Sequence, residues 1–400
     1  MELNLEELDM LEGKQGKATR KAMEILVALG TIYSADRLLP VTSVQIAGVS
    51  FDNLGEAGLE FLTEMAANEG RVRVLTTLNP AGMDIDNWQA MGIDADFAMN
   101  QQRVIDAYAK MGVVPTCSCT PYLFGNLPHY GEHIAWAESS AVCYANSVLG
   151  ACTNREGGSS ALAAALTGKT PDYGMHKSWN RQPGLTVDVP ASLSGTRDFG
   201  GLGIALGKEI ESRCQKTIPY IRGISRASLE ELKSFCASLA TFGGAALFHM
   251  DGITPESRLC QVPDEVISIS RADVERAIEI LDGPLSVEPV DFVNLGCPHL
   301  SLNEIEKVAE QLKGKQVKKT FWITTARPTK RIADQMGYSA IIEAAGAVFA
   351  TDTCCVVAPL KGRYKRIATD SAKACYYAAS KNGFKTDFLS FEDVIQEALR

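Results

Sequence analysis

Strand-like runs alternate with amphipathic helical stretches along most of this chain, and that alternation constrains its fold more than any other feature. Val41 to Val49 is β-branched and leads through Ser50-Phe51-Asp52-Asn53 into a helical face of Leu59, Leu62 and Met65. Val72 to Leu78 repeats the unit: Asn79 follows it, then a helix carrying Val104, Ile105, Tyr108 and Met111, then a strand at Val113-Val114. Asp291 to Gly296, Lys319 to Thr325 and Gly346 to Ala350 continue the pattern. Strands joined through helices pair in parallel, so the expected fold class is α/β, several βα units with mainly parallel sheets around a cleft. Ligands of such sheets collect beyond the carboxyl ends of the strands.

The organisation divides as 1–168, a βα region; 169–227, a looser Gly- and Pro-containing insertion or interdomain region; and 228–400, a second βα region. The first region opens with a helical stretch over residues 5 to 30, broken near Gly13 to Gly16. The last begins with a helix from Ser228 to Ala240 and a strand from Gly243 to Met250. The glycines between Ser194 and Gly203 follow no clear strand, so a nucleotide loop is not expected there.

With 46% hydrophobic residues in 400, a large core can be buried. Acidic residues outnumber basic ones 48 to 39, and no Lys/Arg stripe interrupts that balance, which argues against nucleic acid as a partner. The acidic N-terminus and the absence of a long apolar run predict neither a signal peptide nor a membrane span, hence a cytoplasmic protein. Eleven cysteines without regular dense spacing read as reduced thiols and raise the question of metal ligation.

Between Ile134 and Thr153 the one charged side chain is Glu138, followed by Ser139 and Ser140. A carboxylate in such surroundings must be paired, hydrogen-bonded or held protonated for proton transfer. The polar cluster Thr153, Asn154, Arg155 and Glu156 stands between that apolar helix and the Gly157-Gly158-Ser159-Ser160 entry to the next. Small residues at a helix start beside an arginine suit a phosphate or carboxylate. Ser50 and Asn53 stand at a strand end, where they either meet a ligand or cap the following helix.

Cys297 occupies a strand-to-helix turn before a Ser301/Glu304 capping box, Cys354 follows another strand, and Cys119 follows Val113-Val114. If these ends face one cleft, three thiolates converge there. They suit an iron-sulfur cluster or a zinc site completed by His299 or water, and spacing does not choose between them. Three ligands on a cubane leave one iron open to a substrate hydroxyl, and a Lewis acid there makes hydroxide a feasible leaving group. A neighbouring base would take the proton from the adjacent carbon while fixed donors hold the carboxylate.

Gly48-Val-Ser-Phe-Asp-Asn53, Cys119-Thr-Pro-Tyr122, Gly131-Glu-His-Ile-Ala-Trp-Ala-Glu-Ser-Ser-Ala-Val142, Thr153-Asn-Arg-Glu-Gly-Gly158, Gly296-Cys-Pro-His-Leu-Ser301 and Asp352-Thr-Cys354 follow one another in this order. Over essentially its whole length the chain thereby resembles the large, catalytic subunits of the aconitase X family, most nearly its archaeal phosphomevalonate dehydratase branch. The resemblance implies an aconitase-like fold and Cys119, Cys297 and Cys354 as ligands of an iron-sulfur cluster, 4Fe-4S with one iron open or alternatively 2Fe-2S. It implies a small partner subunit built as a swivelling domain that supplies a catalytic serine; no such segment is evident in these 400 residues, so a heteromer is expected. The implied reaction is loss of water from the phosphorylated hydroxy acid (R)-5-phosphomevalonate, giving trans-anhydromevalonate 5-phosphate in the archaeal mevalonate route. Dehydration of cis-3-hydroxy-L-proline is the alternative within the family, and an electron-transfer iron-sulfur protein the alternative outside it. Glu138, Glu156 and Arg155 are the expected catalytic groups. Ser50, Asn53, Asn79, Ser139, Ser140, Thr153, Asn154, Arg155, His299 and Arg327 are the expected substrate-binding groups.

Overall fold

The computed structural model describes residues 1–190, 192–213, 217–281 and 288–400, arranged as three α/β units, each with its own parallel sheet. In the first, strand Ser43–Ile46 lies between Leu75–Leu78 and Ala135–Trp136. Helices Lys17–Ile32, Phe51–Ala67, Ala95–Lys110 and Gly158–Thr167 bury Met23, Leu26, Leu59, Leu62, Val104 and Leu162 against it. Val113-Val114 adds only a single bridge, Val114 to Thr77, because Pro115 has no N–H with which to extend the ladder. Glu138 lies just before, not inside, its apolar helix: it caps Ser139–Tyr144.

The second unit corrects the reading of 169–227 as an irregular insertion. Its sheet runs His249–Met250, Pro219–Arg222, Leu185–Asp188, Val266–Ser268, so that stretch supplies two of the four strands, and also the helix Gly195–Glu211. Glycine lowers helix propensity, which hid the helix in the sequence; here it serves contact. A Cβ on Gly203 would sit 3.0 Å from the backbone nitrogen of Leu239, and one on Gly207 would sit 2.8 Å from that of Gly243. Bare backbone at those two positions lets the helix lie directly on Leu229–Phe242. The expected strand from Gly243 shortens to His249–Met250.

The third unit has five parallel strands in the order Val348–Thr351, Thr320–Thr325, Phe292–Leu300, Arg366–Thr369, Lys385–Phe388. From Phe292–Leu300 the chain first builds the sheet in one direction and then returns to pair Arg366–Thr369 on its other side. The carboxyl ends of these two neighbours diverge into helices on opposite paths, the place where open α/β sheets form a ligand crevice. The units share buried surface: Ile134, Trp136 and Val142 of the first pack with Phe199, Leu202 and Phe235 of the second. No helix among the described residues is long and apolar enough to cross a membrane.

Candidate active site

A cavity of about 300 Å³ opens at the carboxyl ends of the first and third sheets, and Cys119, Cys297 and Cys354 all line it. Each is placed by an irregularity at a strand end. Ser118 N–H reaches back to the Leu78 carbonyl at 2.9 Å and sets the loop bearing Cys119. The ladder between Phe292–Leu300 and Thr320–Thr325 breaks between Leu295 and Leu300. Gly296 turns there with φ 112° against the Thr324 backbone, in space no Cβ could occupy. Asp352, at φ 63°, makes the corresponding turn before Cys354.

His299 ties these three segments together. Its Nε2 lies 2.9 Å from the Thr353 carbonyl oxygen, which can only accept, so that nitrogen carries the proton and Nδ1 accepts from the Ser118 hydroxyl at 3.0 Å. Its own backbone N–H points at Cys119 Sγ, 3.3 Å away. Burial holds the imidazole neutral, with its pKa lowered to about 4. The ring is a strap, with no nitrogen left for substrate.

Burial pushes the Cys119 thiol well above its ordinary range, and neighbouring Glu138 and Cys354 add to that. Cys297 is pushed up to about 12, by burial first and then by Cys354. Cys354 is raised by burial against the pull of N–H groups from Val356 and Val357. Among the described residues no group of three or more His, Cys, Asp or Glu is arranged to hold a metal ion. The thiol set nonetheless fits an iron-sulfur cluster: three sulfurs share one cavity, and each has a hydrogen-bond donor aimed at it, His299 N–H, the Ser371 side chain, and the Val356 and Val357 N–H groups. A bound cation would convert the thiols to thiolates, and those donors would stabilise the charge. Cys117, Cys152 and Cys355 do not line the cavity.

Glu138 is a fully engaged carboxylate. One oxygen accepts from Ser140 Oγ at 2.5 Å and from the Ala141 N–H at 2.6 Å. The other meets the Lys373 ammonium and, at 3.4 Å, Ser139 Oγ. Burial opposes its charge, but Lys373 and these hydrogen bonds outweigh burial and hold the carboxyl below its usual range. Lys373 answers in kind: burial works against the ammonium, and Glu138 more than compensates, raising its pKa.

Of the other expected site residues, Asn53, Asn79, Ser139 and Arg155 line the cavity. Among the described residues Asn79 Oδ1 is buried without a hydrogen-bond partner, and Arg155 is exposed and forms no salt bridge. The remainder are absorbed by structure. Ser50 donates to the Val357 carbonyl at 3.2 Å, joining the first unit to the Cys354 turn. Thr153 Oγ donates to the Asn154 carbonyl at 2.7 Å, Asn154 binds the Met175 N–H and the Tyr173 carbonyl, and Glu156 accepts from Ser160 and Thr170. Arg327 lies outside the cavity, paired with Asp352 and Asp86. Extended backbone explains the contrast inside the Asn154-Arg155-Glu156 run, since successive side chains take opposite faces.

Lys373, Tyr377 and Lys381 line the cavity and were not anticipated. They follow strand Arg366–Thr369, whose short β-branched core, Ile367-Ala368-Thr369, ending in Asp370-Ser371, carried the same strand-end signal as the other units.

The combination is that of an aconitase-like protein: parallel α/β units closing on one polar cavity that holds three cysteines. The first, second and third domains of aconitase X match residues 1–178, 183–279 and 290–400. The chain is 45% identical over 407 aligned residues to the phosphomevalonate dehydratase large subunit of Methanocaldococcus jannaschii, covering 99% of this chain and 100% of that one. Identity to the cis-3-hydroxy-L-proline dehydratase of Hypocrea jecorina is 33%, over 100% of this chain and 68% of that protein. The crystal structure of Thermococcus kodakaraensis aconitase X in its holo-form superposes with a TM-score of 0.92 at 43% identity, each chain covered completely. This chain belongs to the aconitase X family.

Proposed function

We propose that the chain is the large subunit of a hydro-lyase that dehydrates (R)-5-phosphomevalonate to trans-anhydromevalonate 5-phosphate. The observation that carries the reading is the shared cavity wall of Cys119, Cys297 and Cys354, facing Lys373 and the uncommitted Arg155 guanidinium. The full-length likeness at 43–45% to four phosphomevalonate dehydratase large subunits supports the substrate; the hydroxyproline dehydratases match at 32–33%.

Cys119, Cys297 and Cys354 would hold an iron-sulfur cluster. When bound with one open iron it supplies Lewis acidity toward a substrate hydroxyl. The chain's own residues do the rest. Arg155, exposed at the rim, is suited to a phosphate through paired N–H donors. Asn79 offers an unspent buried acceptor to a substrate hydroxyl. Glu138, saturated by Ser139, Ser140, Ala141 and Lys373, orients neighbours rather than moving a proton itself. A small swivel-domain subunit would cover the cavity, exclude water and contribute the serine that removes the carbon-bound proton.

Proton NMR of 5-phosphomevalonate, incubated anaerobically with the iron- and sulfide-reconstituted chain and its small subunit, tests the reading. A new vinylic signal is expected. An unchanged spectrum, with confirmed cluster and partner, would remove this substrate, and a positive result with cis-3-hydroxy-L-proline would transfer the site to that reaction.

A further inference from the structure

We propose that Lys373 is a catalytic residue that contacts the substrate carboxylate and stabilises the negative charge that builds on it as the adjacent C–H bond breaks. This rests on reading the cavity as a hydro-lyase site. Three cations line that cavity, and they differ in how they are held. Arg155 is exposed, and Lys381 is tied to Asp52 at 3.0 Å and lies 3.4 Å from the Val356 carbonyl. Lys373 is the most enclosed: its side chain is 12% exposed, and Glu138 and Ser139 are its hydrogen-bond partners. An ammonium carries three N–H donors, so among the described residues one remains beyond those two contacts, on a side chain that lines the cavity with the cysteines.

Position in the sheet gives the second argument. Lys373 is the second residue of the helix Ala372–Tyr377, which follows strand Arg366–Thr369, the neighbour of the strand that carries Cys297. The helix start holds both groups: Ser371 hydrogen-bonds Cys297, and two residues later Lys373 meets Glu138. A substrate whose hydroxyl lies at the cysteine wall therefore has its neighbouring carboxylate within the region this ammonium commands.

The chemistry requires such a group. Removing a proton from carbon beside a carboxylate sends the C–H electron pair into that carboxylate, which becomes an enediolate with one more negative charge. Collapse of that pair forms the C=C bond and breaks the C–O bond; the hydroxyl departs as hydroxide and takes up one proton, matched by the one the base took from carbon, so that water leaves with no net gain or loss of protons. A fixed cation binds the enediolate more tightly than the carboxylate, which lowers the barrier rather than merely improving binding. Glu138 cannot play this part, being negative and saturated; it fixes the ammonium in place.

The test compares K373M, K373R and K373A in the reconstituted complex with 5-phosphomevalonate, with iron content and visible absorbance measured on each. K373M is expected to keep its iron, lose about 10²- to 10³-fold in kcat and change KM far less. K373R is expected to retain more activity than K373M, and K373A to regain turnover with added ethylammonium but not with ethanol. Loss of kcat within threefold in K373M, an effect on KM alone, equal losses in the Met and Arg variants, or the absence of amine rescue would each overturn the assignment. If K373M fails to fold, rescue of K373A decides. A wild-type complex inactive on 5-phosphomevalonate would instead count against the substrate; the same variant series is then read on cis-3-hydroxy-L-proline, which also carries a carboxylate.

Discussion

His299 donates its Nε2–H to the carbonyl of Thr353, 2.9 Å away, and so fixes the residue next to Cys354 from a position two residues beyond Cys297. Its other nitrogen accepts from Ser118, next to Cys119. One imidazole thus sets the relative positions of three segments that lie far apart in sequence.

Replacing His299 with Ala should loosen the cysteine wall. The change leaves the Thr353 carbonyl and Ser118 hydroxyl without this partner and opens a ring-sized void, costing roughly 2 to 4 kcal/mol. Iron retained after gel filtration should fall further than the melting temperature suggests, because the damage is local to the cysteines. A variant that keeps full iron would remove the strap role.

Single Cys-to-Ser changes separate cavity thiols from the rest. C119S, C297S and C354S should each lose most of the bound iron, whereas C117S, C152S and C355S should retain it. Iron and sulfide counts on the six purified proteins provide the check, and loss of iron in C355S would shift the proposed ligand from Cys354 to its neighbour.

Much of this arrangement was legible in the sequence, and the exceptions share a cause. The strands ending near Asn79, Cys297, Arg327 and Cys354 could be read because β-branched runs, polar ends and helix caps are local signals. Sheet order is not local. Nothing near Arg366–Thr369 announces that it pairs with Phe292–Leu300, yet that pairing brings Lys373 to Glu138, 235 residues away in the chain. The helix Gly195–Glu211 was hidden because its glycines matter only for the backbone they meet on Leu229–Phe242. Thr153, Asn154 and Glu156 were polar in the right neighbourhood, but their partners are Asn146, Met175, Ser160 and Thr170, which sequence spacing cannot reveal.

Arg327 should behave as a structural residue. Its guanidinium meets both oxygens of Asp352, a carboxylate with no exposed surface that burial pushes toward protonation and Arg327 pulls back. Arg327→Ala should cost about 3 kcal/mol, the low end for orphaning a buried charge because the arginine is itself partly exposed. KM for the substrate should hold in whatever fraction remains folded. A large rise in KM without destabilisation would restore Arg327 to substrate binding.

Asp370 makes stability fall as pH rises. It is buried where the second and third units meet, accepts from Thr196 Oγ at 3.0 Å, and lies near the buried Lys233–Glu304 pair. Burial, then the Glu304 charge, raise its pKa to about 7, against the weaker opposing effects of Thr196 and Lys233. Below the ordinary carboxyl pKa of 3.8 both folded and unfolded chains hold this proton, and the group is neutral for stability. Between 3.8 and about 7 the unfolded chain releases the proton while the folded chain keeps it, so stability falls with pH and levels off above that window. The full penalty is at most roughly 4 kcal/mol, at about 1.4 kcal/mol per pKa unit. Asp370→Asn preserves an acceptor for Thr196 and cannot ionise. Its stability advantage over the wild type should therefore be small near pH 4, grow through pH 5 and 6, and be constant above pH 8. Urea denaturation at those pH values measures it, and an advantage independent of pH would mean that Asp370 does not titrate in this window.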